Sequence, residues 1–302
     1  MVYLSSFSML TQKQEDWFFD VNNPAFKKKN LRTVYTTKYP FGLFYFRGFS
    51  EFLFTDITVF CGNNGSGKST ILNVIAEKIG IERGTVYNRS EFFDDYVELC
   101  SCSFSDAACE KLPRDSRIIT SDDVFERVLE LRRLNDGIDI RRNELINEYI
   151  NGRDPDKVNQ MNGLEDYERW RKNADLRKKR LTQSAYIRSQ LMNNVQERSN
   201  GESALAFFVE TVKDNALYLL DEPENSLSPQ NQLELKYFIE DSVRNHGCQF
   251  IISTHSPFLL SLRHARIYDI DVAPPMITPW NELGGVRAYY DFFKEHEKDF
   301  EE

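Results

Sequence analysis

Glycine, lysine and hydroxyl-bearing residues are concentrated in one short stretch of the chain, Gly62-Asn63-Asn64-Gly65-Ser66-Gly67-Lys68-Ser69. Their order fits the phosphate-loop pattern G-x-x-x-x-G-K-[ST]. Glycines let the backbone fold around an anion, so that successive N–H groups point at phosphate oxygens. We expect Lys68 to reach the β- and γ-phosphates of a nucleotide and the Ser69 hydroxyl to ligate Mg²⁺. We also expect the adjacent Thr70 to contact the nucleotide.

The segments on either side of this loop have the patterns needed to position it. Residues 57–60 are apolar or β-branched, which predicts a short buried strand. The residues after the loop predict a helix, because apolar side chains recur on one face at Ile71, Leu72, Ile75 and Ile79. The alternative is a glycine-rich turn before a surface helix. A strand before the loop and a helix after it favour nucleotide binding.

A second set of chemistry-bearing residues follows the apolar run 217–220, which predicts another buried strand ending in Asp221-Glu222. In a P-loop enzyme an acidic residue at such a strand end holds Mg²⁺, and a neighbouring carboxylate can deprotonate the attacking water. The alternative is a pair of solvated acids. Because a phosphate loop lies upstream, we expect Asp221 to bind the metal and Glu222 to act as the catalytic base.

Length and composition limit the class of protein. A chain of 302 residues allows one large α/β domain or two smaller ones. No segment approaches the ~18 apolar residues of a membrane span, and the N-terminus lacks the features of a secretory signal. We therefore expect a cytoplasmic protein with no membrane span. The formal net charge of −9 argues against general nucleic-acid binding, so any such contact must be a local patch.

The five cysteines do not form a paired framework. Cys100, Cys102 and Cys109 come nearest to a metal cluster, but their spacing matches no common zinc pattern and no histidine lies nearby. We expect reduced, structural thiols.

The first part of the chain predicts a small antiparallel β-subdomain that leads into the core sheet. The N-terminal residues predict a first strand, or a strand pair with residues 31–39. Further strands are expected at residues 33–39, 41–46, 51–54, 85–87 and 96–104.

The middle of the chain predicts a helical hairpin. Apolar residues at seven-residue steps indicate a first helix with a weak coiled-coil pattern (Val124, Leu131, Ile138 and Leu145). Residues 151–155 predict a turn, and residues 164–195 predict a second helix. The second helix carries a basic cluster: Arg169, Arg171, Lys172, Arg177, Lys178, Lys179 and Arg180. This cluster could contact nucleic acid or an acidic partner, but interleaved acidic residues favour a solvated helix face.

Strand and helix patterns alternate again after Asn200. Residues 216–220, 249–253 and 265–271 predict strands. Ser228-Pro229 and Ser256-Pro257 each place a capping serine before a proline at the first helical position. Residues 286–300 predict an amphipathic helix whose inner face carries Tyr289, Phe292 and Phe293.

Three further motifs make the pattern specific: S-N-G-E-S at 199–203, S-L-S-P at 226–229 and S-T-H-S-P at 253–257. In this order they resemble the signature loop, D-loop and switch-histidine loop of ABC-type ATPases. The stretches YPFGLFYFRGFSEF, LYLLDEPENSLSPQNQL and CQFIISTHSPFLLSLRHARIYDID are similar to a compact soluble ABC-type family of bacteria, the predicted AAA-family ATPases related to the SMC and RecF type. The resemblance covers roughly the first and last thirds of the chain.

The resemblance implies an α/β fold, namely an ABC-type P-loop ATPase head with an N-terminal antiparallel β-subdomain and an inserted helical hairpin. The implied domains are an ATPase lobe with the P-loop at 1–122, a helical and possibly coiled-coil insertion at 123–198, and a second ATPase lobe at 199–302. The second lobe would carry the signature loop, Walker B strand, D-loop and switch histidine.

The same resemblance implies Mg²⁺-dependent ATP hydrolysis by a head-to-tail homodimer that closes on two ATP molecules. The Ser199 hydroxyl and the Gly201 N–H of one subunit would contact the γ-phosphate held by the other, and Glu202 belongs to the same signature loop. His255 would contact this phosphate from within the subunit that binds it. The family's Q-loop glutamine is missing, and Thr120 stands at the best-matching position for that metal contact.

Three functions are compatible with these motifs. The first is an SMC/RecF-like ATPase that acts with nucleic acid or an effector protein, as in repair or defence against foreign DNA. The second is the nucleotide-binding subunit of an ABC transporter. The residues after the signature loop, Glu202-Ser203-Ala204-Leu205, favour the first, because transporter subunits usually have Gln and Arg there. The third is an ATP-gated scaffold without hydrolysis, which intact Lys68, Asp221, Glu222 and His255 disfavour.

Overall fold

The computed structural model describes residues 1–20, 22–24, 37–105, 112–153, 171, 182–194 and 200–300. The chain divides into two compact units. One comprises Met1–Phe125 and Asn200–Glu302, and the other comprises Glu126–Ser199.

The first unit combines strands and helices in alternation, so the predicted α/β class is confirmed. Its strands are β1 (Leu4–Ser8), β2 (Glu51–Leu53), β3 (Ile57–Cys61), β4 (Ser101–Phe104), β5 (Arg117–Thr120), β6 (Leu217–Asp221), β7 (Gln249–Ser253), β8 (Arg266–Asp269) and β9 (Met276–Ile277). The helices of the described residues are α1 (Gln12–Phe18), α2 (Lys68–Ile79), α3 (Phe93–Leu99), α4 (Ser121–Arg153), α5 (Gln183–Gln190), α6 (Asn200–Thr211), α7 (Pro229–His246), α8 (Pro257–Leu260) and α9 (Gly284–Glu295).

A six-stranded sheet forms the centre of this unit, in the order β5-β6-β7-β3-β8-β9. The first five strands are parallel, and β9 pairs antiparallel with β8. The middle strands are buried on both faces, which explains their continuous apolar sequences. Because parallel strands end at one edge of the sheet, the carboxyl ends of β3, β5, β6 and β7 lie side by side.

The predicted N-terminal antiparallel β-subdomain is present as a three-stranded sheet in the order β2-β1-β4. It is joined to the central sheet by the buried side chain of Gln249. The Gln249 Oε1 accepts the backbone N–H groups of Tyr3 and Leu4 at 2.8 and 2.9 Å, and its Nε2 donates to the carbonyls of Leu4 and Thr55. All of these polar groups are satisfied, so a buried amide fixes β1 against β7.

An aromatic core packs behind the loop that follows β3. The Phe52 ring lies edge-on to Phe60 and Tyr268, at centroid distances of 4.9 and 5.1 Å. Phe60 lies on β3, and all three rings are buried. Edge-to-face packing of this kind adds to the free energy of apolar burial and holds β3 between its neighbours.

Several predicted strands are wrong. The strand predicted at residues 41–46 is absent. These residues form turns and the start of the 3₁₀ helix Tyr45–Arg47. Gly42 and Gly48 adopt positive φ values of 79° and 68°, which suit turns and not a strand. Residues 96–99 belong to α3, whose buried Phe93, Tyr96 and Val97 follow helical spacing. Residues 85–87 form no strand. There the Arg83 guanidinium stacks on the Tyr87 ring and donates to the Thr85 carbonyl.

The predicted first strand is confirmed as β1. β1 pairs with β2 and β4. Most of the segment 31–39 lies outside the described residues.

The C-terminal helix is shorter than predicted and its aromatic face is exposed. α9 ends at Glu295 and is followed by a 3₁₀ helix, Glu297–Phe300. Leu283 and Val286 at its start are buried, whereas Tyr289, Phe292 and Phe293 are about half exposed (51, 55 and 52%). The placement of these rings on an inner face is therefore wrong, because the helix is anchored by its first turn.

The second unit contains most of α4 and the whole of α5. α4 continues through residues 151–153, where a turn was expected, and residues 191–194 after α5 are not helical. Leu145, Tyr149 and Tyr186 form a small apolar cluster. Apart from an exposed Arg171, the basic cluster lies outside the described residues.

Candidate nucleotide-binding site

The loop between β3 and α2 has a backbone that only glycine adopts easily. Gly65 and Gly67 have φ values of 81° and 101°. A Cβ on Gly62 would lie 2.8 Å from both Ser66 Oγ and Ile270 Cγ1. The buried Ser66 hydroxyl has no hydrogen-bond partner within the described part of the chain. A tight loop with an unsatisfied buried hydroxyl at the start of a helix fits an anion such as a phosphate group.

Lys68 is held across this loop. Its side chain is 3% exposed, and Nζ donates to the carbonyls of Gly62 at 2.8 Å and Asn63 at 3.2 Å. The Nζ also lies 3.4 Å from Glu222 Oε1. The ammonium group is thus placed among the loop carbonyls and one carboxylate, where it can reach a phosphate bound in the loop.

Asp221 accepts hydrogen bonds from two hydroxyls. Ser69 Oγ donates to its Oδ1 at 3.0 Å, and Ser253 Oγ donates to the same oxygen. Burial raises the pKa of Asp221, although the bonds from Ser253 and Ser69 and the charge of Lys68 act in the opposite direction. The Ser69 hydroxyl and the Asp221 carboxylate are oxygen donors of the kind that Mg²⁺ prefers in proteins.

Glu222 is oriented by its backbone and by a neighbour. Its φ and ψ of 47° and 54° lie in the left-handed region, which costs a residue other than glycine about 1–3 kcal/mol. The Glu222 N–H donates to the Ser253 carbonyl at 3.0 Å, and Asn225 Nδ2 donates to Glu222 Oε2 at 3.0 Å. In this conformation Glu222 Oε1 lies 3.4 Å from Lys68 Nζ.

His255 lies just beyond the end of β7 and is 49% exposed. The following Ser256 caps α8, as predicted, by accepting the N–H groups of Phe258 and Leu259 at 3.2 and 3.4 Å. Ser228 caps α7 in the same way through Asn231 N. The loop before α8 is also fixed by Glu224, which accepts the His255 N–H at 2.9 Å.

The predicted signature-loop residues lie on another element. Gly201 and Glu202 belong to the first turn of α6, and Ser199 lies outside the described residues. The contacts of Lys68, Ser69, Asp221 and Glu222 given above come from the P-loop, the ends of β6 and β7, and the turn after β6.

Thr120, which replaces the expected glutamine, pairs with Asp221 in the register of β5 and β6. Its hydroxyl donates to Asp123 Oδ2 at 2.8 Å and lies 3.1 Å from Thr85 Oγ1. The hydroxyl is therefore engaged at the start of α4, and its contact with a metal stays a prediction.

Three residues near the loop were not identified from the sequence. Arg47 Nη1 donates to the Ser66 carbonyl at 3.0 Å, and Tyr39 Oη donates to Thr70 Oγ1 at 2.9 Å. Both Asp271 carboxylate oxygens lie 2.9 Å from Asn63 N. Asp271 follows β8, the strand beside β3, so an acid after a parallel strand was the signal that could have identified it.

Metal binding by cysteine is not supported in the described residues. These contain no group of three or more His, Cys, Asp or Glu side chains arranged to hold a metal ion. Cys100 and Cys102 are free thiols, and Cys109 lies outside the described residues. Burial raises the pKa of the Cys100 thiol to about 12, so it stays protonated and inert near neutral pH.

Comparison with known families agrees with this geometry. A family model described as ABC transporter matches residues 55–225, which is more than half of the chain. The chain belongs to the ABC transporter family. A second model, described as AAA ATPase domain, matches residues 200–260. The first match contains the P-loop and the end of β6, and the second contains Asp221, Glu222 and His255. This ABC family member is an ATPase.

The solved structures that match this chain include two SMC heads and one ATP-binding cassette. The SMC head domain of Pyrococcus furiosus, bound to the C-terminal domain of ScpA, is 15% identical, with a TM-score of 0.41 over 82% of this chain and 95% of that one. The SMC head of Thermotoga maritima is 14% identical, with a TM-score of 0.38 over 92% and 98%. The dimeric cassette MJ0796, bound to ADP and Pi, is 13% identical, with a TM-score of 0.32 over 74% and 86%.

A search of curated proteins gave no match. Among the described residues of this ABC family member, no helix is both long and apolar enough to span a membrane.

Proposed function

We propose that this ATPase uses Mg²⁺ and the side chains at the ends of α2 and β6 to hydrolyse ATP. The main observation in support of this proposal is that two pairs of interacting residues lie at one edge of the central sheet. Ser69 is bonded to Asp221, and Lys68 lies beside Glu222. One pair supplies oxygen ligands, and the other supplies a cation next to a carboxylate. Phosphoryl transfer needs both.

Each residue has a role that follows from its position. The P-loop, residues 62–70, would hold the phosphates through backbone N–H groups and the Lys68 ammonium. Ser69 and Asp221 would hold Mg²⁺, which supplies positive charge to the phosphate oxygens. Glu222 would accept the proton of the attacking water, because its carboxylate is partly exposed at 24% and is oriented by Asn225. His255 would contact the γ-phosphate.

The active form in this proposal is a homodimer that closes on two ATP molecules. Half-exposed His255 and partly exposed Glu222 leave the phosphate side of the site accessible to a second subunit. Ser199, Gly201 and Glu202 of that subunit would complete the site. Gly201 stands in the first turn of α6, where backbone N–H groups are free of intrahelical partners and favour an anion.

We further propose that residues 1–122 and 199–302 form the ATPase head of a cytoplasmic protein. Residues 123–198 would transmit the ATP-dependent change to an effector protein or nucleic acid in repair or in defence against foreign DNA. This proposed role in repair or defence rests on the resemblance of the motifs to those of SMC and RecF-like ATPases. A transporter subunit remains the alternative outcome of the test.

The test uses Glu222→Gln, which should retain ATP but not hydrolyse it. Tagged protein would be purified from its native host with Mg-ATP, and co-purifying material identified by mass spectrometry and nuclease-sensitive staining. The matched control is Glu222→Gln with Lys68→Ala, which should bind ATP much more weakly. Enrichment of a soluble effector or nucleic acid over this control supports the proposal. Enrichment of an integral membrane protein contradicts it and supports the transporter function.

A further inference from the structure

Glu224 is a buried acidic residue that the proposed mechanism does not use. Its side chain is 5% exposed. One oxygen, Oε1, accepts the Thr254 hydroxyl at 2.6 Å and the His255 N–H at 2.9 Å. The other oxygen, Oε2, is buried and has no hydrogen-bond partner among the described residues. A buried carboxylate with one unsatisfied oxygen is unfavourable for folding, which suggests a functional reason for the residue.

Glu224 lies in the short turn that follows the proposed catalytic base. This 3₁₀ helix, Pro223–Ser226, begins with a proline and is closed by the Leu227 N–H bond to the Glu224 carbonyl at 2.9 Å. The side chain of Asn225 in the same turn donates to Glu222. This turn thus contacts Glu222 through Asn225 and the His255 loop through Glu224.

The contact with His255 involves both its backbone and its ring. The His255 Nδ1 lies 3.5 Å from Glu224 Oε1, which is within ion-pair range but longer than a good hydrogen bond. Thr254, the residue between β7 and His255, is fully buried and bonded to the same oxygen. This contact between Nδ1 and the carboxylate restricts the direction of the ring. The Nε2 edge then faces away from Glu224.

We propose that Glu224 is a positioning residue that holds the His255 loop and ring in the orientation needed for ATP hydrolysis. The inference rests on the proposed role of His255 at the γ-phosphate. Glu224 would act only through His255, and its loss should lower kcat without weakening ATP binding. A purely structural role would instead change the melting temperature and leave the kinetics of the folded protein unchanged.

The first experiment compares Glu224→Ala and Glu224→Gln with Glu234→Gln, a control at an exposed glutamate of α7. Glu224→Ala removes the acceptor for both Thr254 and His255, so kcat should fall about tenfold or more while KM for ATP changes less than about twofold. Glu224→Gln keeps an acceptor oxygen but loses the charge beside Nδ1, so we expect a fall in kcat of about threefold. If Glu224→Ala does not fold, the kcat of Glu224→Gln alone is compared with that of wild type and of Glu234→Gln.

The second experiment repeats the substitutions in a His255→Ala background. If Glu224 acts through His255, Glu224→Gln should change the residual single-turnover rate by less than about 1.5-fold in this background. Equal effects in both backgrounds would overturn the inference, as would a kcat of Glu224→Ala within twofold of wild type. A His255→Ala variant with wild-type kcat would instead contradict the proposed role of His255, and the inference with it.

Discussion

The Ser69 hydroxyl donates a 3.0 Å hydrogen bond to Asp221 although 152 positions separate the two residues in the chain. Ser69 lies in the first turn of α2, and Asp221 ends β6. The bond forms because β3 and β6 are parallel strands of one sheet, separated only by β7. A second hydroxyl-bearing residue, Ser253 at the end of β7, donates to the same carboxylate. The sheet topology therefore brings together the oxygen atoms that would hold Mg²⁺.

The Lys68→Ala variant should bind nucleotide much more weakly than wild type. The substitution removes a buried ammonium group, and charge-assisted hydrogen bonds to phosphate contribute about 1.5–3 kcal/mol, so affinity for ATP should fall about tenfold to a hundredfold. Isothermal titration calorimetry with a slowly hydrolysed ATP analogue would measure this loss. Lys13→Ala, at an exposed position of α1, is the control. Unchanged affinity of Lys68→Ala would contradict the P-loop assignment.

The Asp221→Asn variant should be more thermostable than wild type without nucleotide but unable to use Mg²⁺. Burial raises the pKa of Asp221, so the folded state binds the proton more tightly than the unfolded state does. The charged carboxylate therefore lowers stability at neutral pH, and this cost decreases as the pH falls towards the raised pKa. The Asn amide oxygen still accepts from Ser69 and Ser253.

Scanning calorimetry should show a Tm for Asp221→Asn about 2 °C above wild type at neutral pH. The difference should shrink at mildly acidic pH. The control Asp16→Asn changes an exposed acid of α1 and should show no such trend. A lower Tm for Asp221→Asn at neutral pH would mean that the buried charge stabilises the fold, contrary to this account.

The Arg47→Ala variant tests whether the Arg47 side chain holds the P-loop in its conformation. Arg47 Nη1 holds the Ser66 carbonyl at 3.0 Å, and loss of this bond should let the loop relax. We expect KM for ATP to rise about threefold to tenfold, corresponding to about one hydrogen bond, with little change in kcat. Steady-state kinetics would measure both constants. A fall in kcat at constant KM would show instead that Arg47 acts in the chemical step.

The Glu222→Gln variant should bind ATP but fail to hydrolyse it, because an amide cannot accept the proton of water. Removal of a general base typically lowers kcat by about 10²–10⁴-fold. Light scattering at saturating Mg-ATP should show a dimer that persists, whereas wild type should return to the monomer as ATP is consumed. A Glu222→Gln protein that stays monomeric would contradict closure on ATP.

Much of the site could be predicted from the sequence because its residues stand at strand ends. The P-loop and the Asp221-Glu222 pair each follow a short apolar run, and parallel strands place such ends at one edge. The fixed order of glycine, lysine and serine in residues 62–69 was sufficient to predict the P-loop. The capping roles of Ser228 and Ser256 were also confirmed, since a serine before a proline has a local physical meaning.

Other features could not be predicted because they depend on tertiary contacts. Arg47 and Tyr39 reach the P-loop from a segment of turns, and no sequence spacing indicates those bonds. The aromatic alternation at residues 41–46 predicted a strand, yet Phe41 and Phe44 are buried by turns around Gly42 and Gly48. The rings of α9 were assigned to the core by periodicity, but periodicity does not say whether another element covers them.

The most direct test of the central claim, a site completed by two subunits, mixes two inactive variants. Lys68→Ala has a defective P-loop, and Gly201→Asp places a negative charge where the signature loop would meet phosphate. In a mixed dimer, one site combines the intact P-loop of the Gly201→Asp chain with the intact signature loop of the Lys68→Ala chain. The account predicts ATPase activity of the mixture at about a quarter of the wild-type rate, since about half of the dimers are mixed and each has one working site. A mixture as inactive as its separate components would contradict the account.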